Sequence, residues 1–484
     1  MVKVKRKLFL FLLALWTLVL TACSANITTN KTVMTEEKIY DQLFDMNNFI
    51  SVKIHISEKE LEKIQKDYDK YREKGSKSPI YRKADKVTIT IGDQVYEIED
   101  VGVRMKGNTS RTDFYSKEEG VYNIINLKLS FNETFDEVAY YGEDTVIWPS
   151  DDERKERKKR TFATLKGLDI KYNKSYDTTY LRENYSFEIF REAGVLAAKQ
   201  TLAVLYVGEK SWGVCNIYEP VDDIFLERYL PKEDLGGDLY KAAWTNNPAA
   251  YTLAVTYGIN NPDKGISYNY DLKTNKKKSK HESFSNLLSV LNSKNPSKES
   301  FDSVVDVDYW LKFAAASYFT GNPDDMRNNY NNHFVYFLKS TGKAIFIPYD
   351  YNIAFGAVSS WDPTGTAMTN ISPYSTKAAG RGGAQMNPLF IQSNKYYKDE
   401  YTTALEEIAS SDLMKFESFK KKHDIVSSLY KDYVMPDIDF RNLDESRLKF
   451  SLESNYRKTG NMSVEEYMEK ILDTYERAVS DYRN

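Results

Sequence analysis

Cysteine and histidine are nearly missing from this sequence, which holds two of the first and four of the second. Cys23 ends an N-terminal apolar run, so Cys215 alone remains for the body, which has no internal disulfide and must rely on its core. His55, His281, His333 and His423 are scattered, with no HExxH or CxxC beside them. That pattern argues against a zinc site or a Ser-His-Asp hydrolase and leaves chemistry to carboxylates, amides and lysines. A strong excess of one charge is lacking too. The formal net charge is −3, and nothing in it marks a nucleic-acid partner. Aromatic residues, by contrast, make up 14% of the chain, and 37 tyrosines support a large core.

Lys3, Lys5, Arg6 and Lys7 precede an apolar run over residues 8–20, which ends in Thr21, Ala22 and Cys23. This is the layout of a secretory signal, too short to span comfortably as a mature helix. The junction LTAC resembles the bacterial lipobox, in which the cysteine thiol accepts diacylglycerol. The expectation is a signal peptide over 1–22, lipid on Cys23, and a body held at the extracytoplasmic face of the cell membrane. Each buried acyl methylene contributes roughly 0.8 kcal/mol, so several chains hold firmly. Residues 23–47 are read as a flexible tether.

Within the body, 51–56 (SVKIHI) alternates like a strand, and Ser57 with Glu60 is spaced as a capping box before a helical face of Leu61, Ile64, Tyr68 and Tyr71. A hairpin is expected at Gly92 and Asp93, and NIINLKLSF places Ile125, Leu127, Leu129 and Phe131 on one side and Lys128 on the other. The mixed-charge run 151–160 reads as part of a solvated insertion near 136–160. A helix over 180–193 stops at Gly194, and a second hairpin turns around Gly208 and Gly213. From 222 onward helices dominate, interrupted by one strand pair joined through Gly342. The lysine-rich 273–280 reads as an exposed loop. The expected fold is α+β: a strand-rich N-terminal lobe over 48–221, a larger helical C-terminal lobe over 222–484, and a cleft between them.

Two acidic segments bracket the late strand pair, GNPDDMRNNYNN at 321–332 and IPYDYNIAFG at 347–356. The hairpin between them brings Asp325 and Asp350 to one end of one sheet. Carboxylates beside amides suit a divalent cation and phosphate oxygens, since magnesium takes oxygen ligands and is usually held by one or two carboxylates. In phosphoryl transfer one Asp orients the hydroxyl while another Asp and an amide hold metal. Asn and Asp are also common turn formers, and a satisfied loop is the plainer reading of the first segment. Asp350 ends an apolar strand, where an unpaired carboxylate is costly.

Seven pieces occur in the order seen in the CotH family, the spore-coat protein H group of atypical secreted kinases, which the chain resembles over about 49–401. They are VGVRMKGNTSR, LRENYSFEIFREAGV, LYVGEKSWGVCNIYEPVD, GDLYK, the amide cluster ending NNHFVYF, IPYDYNIAFG and NPLF. The resemblance implies a kinase-like two-lobed fold with ATP between the lobes and Mg2+ or Mn2+ at the second acidic motif. By position it implies Asp325 or Asp324 as catalytic base, with Asp350, Asn332 and Asn352 around the metal. Lys128 becomes the candidate phosphate lysine, Glu183 its helix partner, and Glu219 in IYEPVD a cofactor contact. The implied activity is transfer of the γ-phosphate of ATP to Ser or Thr of an exported or surface protein.

The family's second metal-motif Asp is Asn352 here, the usual lysine pair ahead of NIINLKLSF is absent, and GxGxxG, HRD and DFG are all missing. Two rival readings follow: a non-catalytic surface scaffold or adhesin, and transfer of another group such as adenylyl or glutamyl. Arg104 and Lys106 read as solvent-facing strand residues, with Gly107 and Asn108 as a possible backbone approach to phosphate. Trp212, Tyr218 and Cys215 read as packing residues, and GRGGA at 380–384 as a loop.

Overall fold

The computed structural model describes residues 34–107, 110–116, 121–173, 177–245, 248–356, 366–378, 384–385, 387–441, 448–453 and 462–484. The expected signal peptide, Cys23, Asn108 and residues 380–383 of the GRGGA loop lie outside them.

Residues 34–47, expected as tether, instead contain helix α1 (Glu36–Leu43), capped by Thr35. Its Ile39, Tyr40 and Leu43 are buried, and Glu36 accepts from Thr161 Oγ1 and Thr164 N at 2.7 Å. The polar composition hid an apolar stripe at helical spacing. Strand β1 (Ile50–His55) follows, burying Ile50, Val52 and Ile54 in strict alternation. Ser57 then caps α2 (Glu58–Arg72) by accepting from Glu60 N at 3.3 Å.

Strands β2 (Arg82–Ile91), β3 (Gln94–Lys106) and β4 (Asn126–Ser130) continue antiparallel. The charged run forms helix α3 (Asp151–Lys159), which is anchored to the barrel at its end. Arg157 donates to Glu133 O at 2.7 Å, and Arg160 to Glu99 O at 2.7 Å. Next come β5 (Gly167–Tyr172), α4 (Arg182–Glu192), β6 (Gln200–Val207) and β7 (Lys210–Tyr218).

The seven strands close into a barrel in the order β1-β2-β3-β4-β5-β7-β6, sealed by parallel pairing of Ser51 with Val204 through Ile54 with Val207. Gly208 makes the β6–β7 turn, whereas Gly213 lies inside β7. There its φ of +84° and a Cβ position 2.8 Å from Val434 O leave room only for hydrogen.

Beyond the barrel come α5 (Asp223–Tyr229), β8 (Leu239–Ala242), β9 (Tyr257–Gly258), β10 (Tyr270–Leu272), α6 (Glu282–Leu291) and α7 (Val307–Thr320). The expected strand pair, β11 (His333–Phe337) and β12 (Ala344–Pro348), is the edge of a five-stranded sheet ordered β9-β10-β8-β11-β12. Helices α8 (Pro388–Tyr396), α9 (Lys398–Ala409), α10 (Phe416–Tyr430) and α11 (Val464–Arg483) complete it.

Two apolar cores result. One fills the barrel; the other surrounds α7, of which Trp310, Phe313 and Phe319 are fully buried. Helix α4 packs Tyr185, Ile189 and Phe190 into the second core although it lies between barrel strands in sequence. A boundary drawn at 221 therefore divides the chain differently from its packing. Tyr430, at the end of α10, accepts from Ile50 N at 2.8 Å and donates to Leu202 O at 2.9 Å, tying the C-terminal helices to the barrel.

Candidate active site

Side chains alternate across a strand, so residues two apart share a face. Registers pair Arg104 with Lys128, Lys128 with Asp169, and Asp169 with Tyr218. Lys106 and Lys171 extend the same face by two residues. The opposite face carries Met105, Leu127, Ile170 and Ile217 into the barrel core. One surface of the barrel thus gathers its charges.

Lys171 in β5 donates to Glu183 in α4 at 2.9 and 3.0 Å and makes a short contact with Asp350. Tyr351 N donates to Glu183 at 3.1 Å, and Asn322 Nδ2 holds the Asp350 carbonyl at 3.0 Å. Asp350 itself sits in the left-handed region, φ +56°, on the exit from β12. Burial pushes Glu183 upward against the pull of Lys171. For Asp350, burial pushes upward, but Lys171, joined by Lys241 and Lys106, overcomes it and holds the carboxyl below its ordinary range. Asp350 is the more open of the two, its side chain 36% exposed against 8% for Glu183.

Lys128 takes a different place from the one expected. It lies 3.5 Å from Asp169, whose other partner is Lys106 at 2.7 Å, and Glu183 is bonded to Lys171. The stretch LDIKYN alternates as NIINLKLSF does, with Asp169 and Lys171 opposite Leu168, Ile170 and Tyr172. That signal puts Lys171 on the face that Glu183 reaches, whereas Lys128 lies one strand earlier. Burial would raise Asp169; Lys106, then Lys128, overcome it and hold the carboxyl near 2. Lys106, crowded by burial and by Lys128 and Lys171, drops to about 8.

The two neighbouring aspartates differ sharply. Asp325 is fully buried and accepts from Ser317 Oγ at 2.5 Å, Asn328 N at 2.7 Å, Asn328 Nδ2 at 3.1 Å and Tyr351 OH at 3.3 Å. These four bonds, two to each oxygen, make it the hub of its loop. Asp324 is half-buried and accepts from Asn329 at 2.6 Å and from Asn332 Nδ2 at 3.0 Å. Burial raises its pKa, and the charge of Asp350 adds to the rise, so the two carboxylates share one neighbourhood. Asn332 also donates to Asp324 O at 2.9 Å, and Asn352 is half-buried just beyond Asp350.

Glu219, expected as a cofactor contact, is 1% exposed. It accepts from Lys199 N at 2.9 Å and Tyr229 OH at 3.0 Å, with Arg228 at 3.5 Å, so its carboxylate serves the interior. Trp212 and Cys215 are buried in the barrel core. Lys106, read as solvent-facing, is only 12% exposed and lies 4.1 Å above the ring of Tyr218.

Burial pushes the Asp325 carboxyl up to about 6 in spite of its donors. A folded pKa above the ordinary 3.8 means that the native state holds the proton more tightly than the unfolded chain. Its contribution is therefore complete below about pH 4 and is lost as pH rises through about 6. Denaturant unfolding of the wild type should lose on the order of 2–3 kcal/mol over that interval relative to Asp325→Asn. Parallel pH profiles for the two proteins would remove this assignment.

Among the described residues no three His, Cys, Asp or Glu side chains gather into a metal cluster. The donors near Asp350 are Asp324 and amides, an all-oxygen set of the kind that magnesium uses together with ligand phosphates.

Fold and site together define a mixed α and β protein in which a closed barrel and a helix-rich half share one group of lysines, carboxylates and amides. The chain belongs to the family described as CotH kinase protein, which it matches over residues 146–458. It is also 28% identical over 201 residues to the inner spore coat protein H of Bacillus subtilis (strain 168). That match takes in 40% of this chain and 52% of the relative, so the chain spans about half the length of the curated protein it resembles. No helix of the described residues is long and apolar enough to cross a membrane.

Proposed function

We propose that this protein is an extracytoplasmic phosphotransferase, tethered by lipid on Cys23, that moves the γ-phosphate of ATP to Ser or Thr of an exported or surface protein. The observation that carries the reading is the buried Lys171–Glu183 pair with Asp350 against it. A strand lysine held by a helix glutamate, beside a metal-binding aspartate, is the working core of a protein kinase. The kinship with a spore coat protein supports a surface location.

In this reading Glu183 orients the Lys171 ammonium toward the phosphate oxygens, and burial keeps both groups from being screened by water. Asp350, with Asn352 and Asn332 as neighbouring oxygen donors, would hold Mg2+ or Mn2+. That cation, when bound, supplies neutralising charge at the phosphates. Asp324 accepts the proton of the acceptor hydroxyl; burial raises its pKa and so makes it a stronger base than an ordinary carboxylate. Asn332 fixes the Asp324 carboxylate in place. Asp325 keeps the loop in shape from behind.

Incubation of the purified protein with γ-labelled ATP, magnesium or manganese, and exported or surface proteins should label Ser or Thr, and Asp350→Ala should abolish the transfer. Absence of label on every acceptor, together with no nucleotide-induced thermal shift, overturns the proposal. Intact-mass analysis of the product separates phosphoryl from adenylyl or glutamyl transfer.

A further inference from the structure

Lys241 stands on β8, the middle strand of the five-stranded sheet, in register with Phe334 and Asp271. Its ammonium lies 3.6 Å from the ring centroid of Tyr349 and 5.5 Å from that of Phe334. Among the described residues no carboxylate comes within ion-pair distance of it. Lys106 reaches the same Tyr349 ring from the barrel, at 5.4 Å, and is tied to Asp169 at 2.7 Å. Two ammonium groups from two halves of the molecule therefore converge on one aromatic ring, immediately before Asp350 in sequence.

Cation–π attraction steadies each ammonium but cancels none of its charge. Burial and then the charge of Lys106 hold Lys241 well below the ordinary lysine range, as expected of a cation without a counter-ion. Like charges kept together in poor solvent cost free energy, and the carboxylate beside them, Asp169, already serves Lys106 and Lys128, so a further anion would be stabilised there. Lys241 is only partly buried, so the place is open to one.

We infer that Lys241 and Lys106 form an anion seat that grips a polyphosphate chain between the barrel and the second sheet, beside Asp350. The inference rests on the proposed phosphotransfer for the identity of the natural anion, the phosphate chain of ATP, and on the two lysines alone for the seat. Lys171 and the seat would then contact different oxygens of one chain. Binding would draw the two halves together, because each lysine belongs to a different half.

The test uses inorganic tripolyphosphate and, separately, adenosine as probes of the full-length protein by titration calorimetry. Lys241→Met, which keeps an apolar stem on Tyr349, should weaken tripolyphosphate binding at least 10-fold, and Lys241→Arg should restore most of it. Adenosine binding should be the same in all three proteins. In the wild type, acylation of the Lys241 amine near pH 8 should be blocked by tripolyphosphate, a readout that needs no variant. Tripolyphosphate affinity within twofold of wild type in Lys241→Met, or acylation unchanged by the probe, overturns the seat. A wild type that binds tripolyphosphate through Lys241 yet transfers no phosphate leaves the seat standing and removes the transferase. Protection by an acidic peptide and not by tripolyphosphate would assign the lysines to the acceptor and overturn the polyphosphate assignment.

Discussion

Lys171→Met should lose phosphotransfer by on the order of 10²–10³-fold, the usual cost of deleting one fixed charge that serves the transition state. It should also lower the unfolding free energy by about 3 kcal/mol. Lys171 and Glu183 have side chains only 9% and 8% exposed, so removing the ammonium leaves a carboxylate buried without its partner. Breaking such a pair from one side costs about 3–5 kcal/mol. The lower end applies because Asp350 stays 36% exposed and Glu183, already pushed upward by burial, can take up a proton. Lys171→Met with Glu183→Leu should recover much of the stability and none of the activity, which separates fold from chemistry. Lys128→Met is the control. Lys128 is 26% exposed and 3.5 Å from an aspartate that keeps Lys106, so its loss should cost less than about 1 kcal/mol. Urea unfolding and labelled-ATP assays on the four proteins decide the matter. A dead Lys128→Met beside an active Lys171→Met would return the phosphate lysine to the earlier strand.

The adjacent aspartates should divide in the same manner. Asp325→Ala removes the acceptor of Ser317, Asn328 and Tyr351 from a site with no access to water. Each stranded donor costs about 1–3 kcal/mol, and the shared network brings the expected loss to about 3–5 kcal/mol. Asp324→Ala frees the half-buried amides of Asn329 and Asn331, which water can reach, while buried Asn332 keeps its bond to the backbone carbonyl of residue 324. It should cost about 1 kcal/mol while reducing turnover by on the order of 10²-fold. The informative quantity is turnover per folded molecule, from activity and circular dichroism on the same samples. If Asp324→Ala keeps full turnover while folded Asp325→Ala has none, the base lies in the interior position after all.

Local features of the chain were readable where one element supplied all of its own signal. The alternation of 51–56, the capping residues Ser57 and Glu60, the turns at Gly92 and Gly208 and the helix ending at Gly194 all depend on neighbours a few residues away. Asp350 was legible for a similar reason, because a carboxylate closing an apolar strand advertises a partner. Glu219 misled because its position within IYEPVD says nothing about which way the side chain turns. The apolar stripe of α1 is masked by the polar composition around it.

Sequence by itself determined the strand and helix periods, the scarcity of cysteine and histidine that turns the chemistry toward oxygen and nitrogen charges, and the order of motifs that marks the family. Tertiary structure alone decided which lysine meets Glu183, which aspartate faces outward, and that Lys106 and Lys241 share a ring. The reason is geometric. Period-two alternation puts Lys106, Lys128 and Lys171 on one face, but closure of β1 against β6 and the burial of α4 in the second core select the one that Glu183 reaches. Those pairings join residues far apart in the chain, where no local preference reports the outcome.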